Sequence, residues 1–103
     1  MLLNNKIFVD RVKDVGKVST EKALSYGLSG PVGRASGLTT DVRKDNPYLG
    51  YENYDFKVPS QTEGDTFARY MQRMEEIEQS LEIMLFYIKY KSQVEMAALL
   101  AIL

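Results

Sequence analysis

The sequence contains no cysteine and no histidine among its 103 residues. Without cysteine there is no disulfide framework, and cysteine usage says nothing about the redox compartment. Zinc, iron–sulfur and haem ligation need residue types that are absent here, and so does serine–histidine or cysteine–histidine catalysis. We therefore expect no catalytic residue, no cofactor ligand and no metal ligand within this chain.

Neither sign of charge predominates: the chain has 13 basic and 14 acidic residues, and its net charge is −1. This balance argues against nucleic-acid binding, which needs a basic surface, and against charge-driven binding to an anionic membrane. The first residues lack the apolar region of a signal peptide, and no run of about 20 apolar residues predicts a transmembrane helix. Length and a 45% hydrophobic content fit at most one domain with a modest core.

The clearest structural signal is a heptad pattern in the second half of the chain, which predicts one long helix over about residues 65–90. Thr62 is the expected cap of this helix, and its N-terminal acids complement the helix dipole. The tail from Val94 onward is apolar on nearly every side, so it is predicted to be buried in something larger or to oligomerise. The apolar seam of the helix consists of Phe67, Tyr70, Met74, Ile77, Leu81, Met84 and Ile88.

Shorter pieces precede the long helix. Residues 2–12 are ambiguous: their spacing favours the last turns of a helix, although Ile7-Phe8-Val9 alone would suit a strand. Ser19 is placed to cap a short helix that Gly27 ends, and Asp41 is placed to cap another. Alternation over residues 54–58 gives the only strand candidate. The predicted short helices span residues 20–26, 31–36 and 41–44.

Three glycines and a proline occur in residues 29–37, with Arg34 at the centre. Arg34 has two interpretations: an anion contact, or an ion pair with a carboxylate across a tight packing joint. The stretch matches neither the phosphate-binding loop nor the dinucleotide-binding motif, and this favours the ion pair. Glu75 with Glu76 makes a poor metal pair, because neighbouring residues face different ways on a helix. The tyrosines at 48–54 are expected to pack on the long helix rather than to stack on a ligand.

Many short motifs agree in order and spacing with one superfamily. They lie at residues 3–8, 10–11, 26–31, 34–37, 41–44, 47–48, 51, 55–59, 62–65, 68–70, 73–76 and 80. In these motifs the chain resembles the large subunit of membrane-bound, energy-converting [NiFe] hydrogenases and the 49-kDa (D) subunit of NADH:quinone oxidoreductase, respiratory complex I. Arg34-Ala35-Ser36-Gly37 and Asp41-Val42-Arg43 lean towards the hydrogenase branch.

The resemblance implies that residues 1–103 are a single incomplete domain, an internal piece of a larger helical subunit. The family's catalytic positions lie outside the matched motifs, so none is carried over. The parent would use a nickel–iron centre or a quinone, with an iron–sulfur cluster in a neighbouring small subunit. It would lie peripherally on the cytoplasmic face of a membrane complex. The resemblance implies that the matched residues are structural: Gly30, Pro31, Arg34, Gly37, Asp41, Arg43, Arg69 and Glu75. The charged ones among them, Arg34, Asp41, Arg43, Arg69 and Glu75, are expected to form ion pairs.

The sequence therefore predicts a mainly α fold, in which short helices and an extended segment pack against one long C-terminal helix. Its predicted function is that of a scaffold fragment of an electron-transfer oxidoreductase subunit, inactive alone. The alternative is a stand-alone helical module that oligomerises or docks through the seam from Phe67 to Ile88 and the apolar tail.

Overall fold

The computed structural model describes residues 2–102, which contain α-helices, short 3₁₀ turns and no strand. The helices are α1 (Lys6–Val12), α2 (Thr20–Ser25), α3 (Gly30–Ala35), α4 (Val42–Asp45) and α5 (Thr66–Ile102), and 3₁₀ turns span Leu2–Asn4 and Tyr51–Asn53. The predicted mainly α architecture with a long C-terminal helix is thus confirmed. The long helix reaches Ile102 rather than about residue 90, because good helix formers without glycine or proline fill its last turns.

Two local predictions were wrong. Residues 54–58 are extended but form no strand, because no other extended segment lies beside them; the N–H of Lys57 donates instead to the side-chain oxygen of Gln79 at 2.9 Å. Residues 2–12 are not the end of one helix. A new helix begins at Lys6, because Asn5 caps it by accepting the N–H groups of Ile7 and Phe8 at 3.0 and 3.3 Å.

Other helix starts follow the sequence. The Ser19 hydroxyl accepts the N–H of Lys22 at 3.2 Å, and the Asp41 carboxylate accepts the N–H of Arg43 at 3.0 Å. The cap of α5 differs, because Asp65 rather than Thr62 takes this role. Its Oδ1 accepts the N–H of Ala68 at 2.7 Å.

Asp65 also connects the start of α5 to the loop that follows α1. Its Oδ2 accepts the N–H of Asp14 at 2.8 Å, across 51 residues of sequence. Burial alone would raise the pKa of Asp65, but the N–H donors of Asp14 and Ala68 outweigh it and hold the pKa below its ordinary value. The folded chain therefore favours the charged form of the Asp65 carboxyl group.

Close backbone contacts join the loop before α5 to the earlier segments. The N–H of Gly64 donates to the carbonyl of Ala35 at 3.0 Å, and the Gly64 carbonyl accepts the N–H of Val18 at 2.9 Å. Gly64 has φ 68°, and a Cβ placed there would collide with the carbonyl oxygen of Val18. Only glycine fits this crossing point, for reasons of both conformation and space.

The short elements cover one side of the first half of α5. Ala68 and Gln72 on this side are 2% and 0% exposed, and α3 makes the most extensive contact. The buried hydrophobic side chains of the described chain are few and mostly small: Ala23, Ala35, Phe56 and Ala68. Packing here therefore depends on close backbone approach and polar contacts as much as on apolar burial.

The apolar seam of α5 lies on the other side and is largely uncovered. The ring of Phe8 in α1 packs edge-to-face against the ring of Tyr70, with centroids 5.2 Å apart, but Ile77, Leu81 and Ile88 remain 53–57% exposed. The molecule is consequently elongated, with extents of 62 × 33 × 13 Å and a radius of gyration of 18.3 Å, against about 13 Å for a compact chain of this length. None of its helices, over the described residues, is long and apolar enough to cross a bilayer.

Candidate functional site: a polar junction between α3 and α5

Arg34, at the centre of the glycine-rich stretch, points at α5. Its Nε donates to Oε1 of Glu76 at 2.6 Å, and its Nη1 donates to the carbonyl of Thr40 at 2.8 Å. The side chains of Arg34 and Glu76 are only 12% and 20% exposed. Of the two interpretations of Arg34, the structure therefore displays the carboxylate pairing; an anion contact remains a prediction.

Gln72 completes this contact one turn earlier on α5. Its Nε2 donates to the carbonyl of Pro59 at 2.7 Å and to Oε1 of Glu76 at 2.7 Å. The residue is 0% exposed, and within residues 2–102 its Oε1 has no hydrogen-bond partner. Arg34, Gln72 and Glu76, called here the polar junction, thus link α3, the segment after Phe56 and α5 through one carboxylate.

Small residues bring α3 close enough for this junction. Gly30 has φ 67° and opens α3, with Pro31 in the first turn, where its missing N–H costs nothing. Gly37 has φ 98° beyond the end of α3, and a Cβ there would lie 2.9 Å from the hydroxyl of Thr20. At Gly33 a Cβ would lie 3.0 Å from the carbonyl of Leu28. The glycines therefore fix the position of the Arg34 backbone, from which the side chain extends to α5.

Asp41 and Arg43 form a second, self-contained cluster. Arg43 binds both carboxylate oxygens of Asp41, Nε to Oδ1 at 3.1 Å and Nη2 to Oδ2 at 2.8 Å. This guanidinium holds the pKa of Asp41 below its ordinary value, against the opposing effect of burial. The guanidinium carbon also lies 5.0 Å from the ring centre of Phe56, within cation–π range. The bidentate pair anchors α4 next to the buried aromatic ring.

Arg69 and Glu75 differ from the expected ion pairs. Arg69 Nη1 donates to the carbonyls of Gly16 and Gly64 at 3.1 and 2.9 Å, because two loop ends rather than an acid lie beside it. Glu75 accepts from the side-chain amide of Gln61 at 3.0 Å. Glu75 and Glu76 diverge to separate partners, and within the described chain no three or more acidic side chains gather as metal ligands would.

An aromatic row lies farther along α5. The ring centroids of Tyr48 and Tyr51 are 5.4 Å apart, those of Tyr51 and Tyr54 are 5.8 Å apart, and those of Tyr54 and Phe86 are 5.6 Å apart. Of these tyrosines, Tyr54 makes a ring contact with the long helix, through Phe86, and Tyr51 and Tyr48 follow from it in the row. Phe86 was not singled out from the sequence because it lies off the heptad seam. A 420 Å³ apolar groove beside the row is lined by Leu49, Tyr51, Tyr54, Ile83, Met84, Tyr87 and Ile88.

The matched family description is "Respiratory-chain NADH dehydrogenase, 49 Kd subunit", and the match covers residues 1–98. The chain is 57% identical over 84 residues to the D subunit of NADH-quinone oxidoreductase from Methylacidiphilum infernorum, and the alignment covers 82% of this chain and 20% of the relative. It is 55% identical over 83 residues to the corresponding D subunit from Akkermansia muciniphila, covering 81% of this chain and 20% of that relative.

Among solved structures, the chain matches the membrane-bound sulfane sulfur reductase, described as an archaeal respiratory membrane complex. The TM-score is 0.74 and the identity 42%, over 78% of this chain and 21% of the other. The chain thus spans about a fifth of the length of the relatives it matches. The lean towards the hydrogenase branch gains no support from these relatives, whose names are those of NADH-quinone oxidoreductases and of a sulfane sulfur reductase.

The family match extends over nearly the whole chain, and it includes the glycine-rich stretch, the polar junction and the first part of α5. The chain belongs to the family of the 49-kDa (D) subunit of the respiratory-chain NADH dehydrogenase, within the superfamily that also includes the [NiFe]-hydrogenase large subunits.

Proposed function

We propose that this chain is a scaffold part of an electron-transfer oxidoreductase subunit, one incomplete domain that carries out no turnover by itself. The observation that carries the proposal is the polar junction, located within the family match. Its charged groups are already bound to one another: Glu76 accepts from both Arg34 and Gln72 through Oε1. Groups used in this way hold helices in place and are not free to bind a substrate.

The junction fixes the geometry of three segments at once. The side chain of Arg34 extends from α3, and those of Gln72 and Glu76 extend from α5. The Pro59 carbonyl belongs to the extended segment between the two helices. Because the carboxylate is largely buried, losing any donor leaves a charge or a polar group poorly solvated. A junction of this kind gives a rigid frame, on which a larger subunit positions the residues that do its chemistry.

We further propose that the parent subunit works in quinone-linked electron transfer, as the names of the relatives suggest. It would bind a small iron–sulfur subunit, as part of a complex peripheral on the inner face of the cell membrane. The residues of this chain do not fit a nickel–iron or iron–sulfur centre, since such centres are held by thiolates and no cysteine is present. Any such centre would be held outside these 103 residues.

The test is a chimera in which the matched segment replaces its counterpart in the D subunit from Methylacidiphilum infernorum, co-expressed with the small iron–sulfur subunit of that organism. We expect the chimera to co-purify with the small subunit. Arg34→Ala should lower the yield of the complex several-fold, whereas Arg11→Ala, on the exposed surface of α1, should not.

A second measurement tests the absence of turnover. The purified 103-residue chain should reduce no quinone and take up no hydrogen. Activity above that of buffer in either assay would contradict the scaffold role. A chimera whose yield is unaffected by Arg34→Ala would contradict the importance of the junction.

A second role, assembly through α5, is supported by one specific observation. The apolar seam is exposed over its last two heptads, with Met84 and Ile88 58% and 57% exposed. Such a surface is normally covered by a partner. Sedimentation of the chain with and without the tail beyond Ser92 tests this role: a discrete, reversible oligomer supports it, and non-specific aggregation contradicts it.

A further inference from the structure

The segment formed by residues 2–12, called here the flap, consists of the first 3₁₀ turn and α1. None of its residues is fully buried, and Ile7 is 69% exposed. Within residues 2–102, no hydrogen bond or ion pair connects the flap to any residue beyond Lys13. The ring of Phe8 instead packs edge-to-face against the ring of Tyr70. The flap is therefore held on α5 by apolar contacts.

The next residues, 14–18, called here the strap, are attached to α5 in a different way. They form hydrogen bonds of 2.8–3.1 Å to groups at the start of α5 and just before it. The carbonyl of Val15, for example, accepts both the N–H and the hydroxyl of Thr66. The attachment thus changes at residue 13, from apolar contact to hydrogen bonding. The bonded residues of the strap are Asp14, Val15, Gly16 and Val18, and their partners are Gly64, Asp65, Thr66 and Arg69.

The backbone at this boundary has the geometry of a hinge. Lys13 leaves the helical conformation, with ψ 136°, and Asp14 follows with φ 60°. Because of this turn, α1 does not continue into the strap. A change of a few backbone dihedral angles at these two residues would move the flap without disturbing the hydrogen bonds that hold the strap.

The tip of the flap fits loosely against α5. A 380 Å³ groove lies where Leu3 meets the side chains of Met71 and Met74. Protein interiors are close-packed, with few voids larger than a water molecule. The contact between the tip and α5 therefore does not reach the packing density of an interior, and little apolar contact is lost when the flap leaves the helix.

We propose that the flap is a conformational lid, which opens about residues 13 and 14 while the strap, α3 and α5 stay folded. Releasing the flap breaks a few half-exposed apolar contacts, whereas releasing the strap breaks several hydrogen bonds, so the flap opens at the lower cost. Opening uncovers Tyr70 and Met74 and lengthens the exposed apolar side of α5 towards its N-terminus. This lid goes beyond both roles stated above and does not depend on what covers the rest of the seam.

The length of α1 makes the opening measurable. The helix spans only Lys6–Val12. Helices shorter than about 12–15 residues are marginal in water, because the cost of the first turn is not recovered by the few that follow. Once the flap leaves α5, α1 therefore melts, and its backbone amides exchange with solvent. Amide exchange in α1 consequently reports the open state.

Hydrogen exchange of the full 103-residue chain, followed by NMR, is the first test. The amides of α1 should exchange at least about 100-fold faster than those of Val18 and Thr66, after correction for intrinsic rates. Phe8→Ala removes the ring that contacts Tyr70 and should speed exchange in α1 about tenfold, with Val18 and Thr66 unchanged. Ile7→Ala, on the exposed side of the same helix, is the matched control and should change the rates less than about twofold.

A fluorescent reporter gives an independent readout. The chain contains no tryptophan, so Phe8→Trp places a single one in the flap. In a urea titration at fixed protein concentration, its emission should change at a lower urea concentration than the amide signals of Val18 and Thr66. Coincident changes would show that the flap and the strap unfold as one unit, and this would overturn the proposal.

The exchange rates can contradict the lid in two ways. Equal rates in α1 and at Val18 and Thr66 would overturn it, because the flap would then open only together with the strap. Amides of α1 that lack protection and do not respond to Phe8→Ala would overturn it as well, since the flap would then not be seated on α5. Faster exchange confined to the flap in Phe8→Ala, together with the early change in tryptophan emission, supports the proposal.

Discussion

Arg34→Ala is the sharpest test of the polar junction. The change removes the Nε donor that lies 2.6 Å from Glu76, and it leaves that carboxylate with the amide of Gln72 as its remaining donor. Breaking a fully buried ion pair by removing one partner costs about 3–5 kcal/mol. The two side chains here are 12% and 20% exposed, so water relieves part of this cost. We expect the free energy of unfolding to fall by about 2–3 kcal/mol.

A double-mutant cycle separates the pair from each side chain's own packing. Glu76→Ala removes the acceptor, and Arg34→Ala with Glu76→Ala removes both partners. If the two side chains stabilise the fold through each other, the double variant should lose less than the sum of the single losses, by at least about 1 kcal/mol. Arg11→Ala, on the exposed side of α1, is the matched arginine control and should cost less than about 0.5 kcal/mol.

The assay is urea unfolding, followed by far-ultraviolet circular dichroism and by tyrosine fluorescence at one fixed protein concentration. Fixing the concentration matters, because association through the seam would itself add apparent stability. An Arg34→Ala cost below about 0.5 kcal/mol, or a coupling near zero, would refute the junction as a stabilising contact.

Three further changes have defined expected outcomes. Gly64→Ala should cost at least about 2 kcal/mol in urea unfolding, since the residue has φ 68° and its new methyl group would strike the Val18 carbonyl; unchanged stability would contradict this contact. The pKa of Asp65 is lowered in the folded chain, so its stabilisation is present above the ordinary carboxylate pKa of about 4 and is lost as pH falls through the lower folded value. Asp65→Asn should therefore flatten the loss of stability seen in acid titrations, and an unchanged acid profile would contradict the role of the charge. Phe86→Ala removes the ring 5.6 Å from Tyr54 and should raise the mobility of the aromatic row, measured as faster amide exchange near residues 48–54, whereas Leu85→Ala on the open side should not.

Local chemistry explains which parts of the fold could be predicted from the sequence. Ser19 and Asp41 cap their helices because a short oxygen-bearing side chain two or three residues ahead of a free N–H is enough to bind it. Gly37 ends its helix because a single residue must adopt a positive φ. Arg34 contacts the carboxylate of Glu76, which agrees with one of the two interpretations that the sequence left open.

Contacts that depend on distant parts of the chain were not predicted. Thr62 was the expected cap of α5, but Asp65 takes the role because it also binds the N–H of Asp14, 51 residues earlier. Arg69 was expected to pair with a carboxylate, but its guanidinium donates to the loop carbonyls of Gly16 and Gly64 instead. The residue spacing within α5 cannot predict these contacts, because the partner groups lie in other segments of the chain.

The largest difference concerns which side of α5 is packed. Hydrophobic periodicity predicts that a helix has an apolar side in need of a cover, but it does not say that the cover belongs to the same chain. Here the chain's own segments take the side of Ala68 and Gln72, because a small residue admits the backbone closely and an amide can satisfy the groups it meets. Beyond Tyr70, which the ring of Phe8 contacts, the seam is largely uncovered by residues 2–102, and Leu81 stays 53% exposed. The polar junction on one side of α5 therefore holds the fold of the chain itself, whereas the apolar stripe on the other side is the surface for which we propose an assembly role.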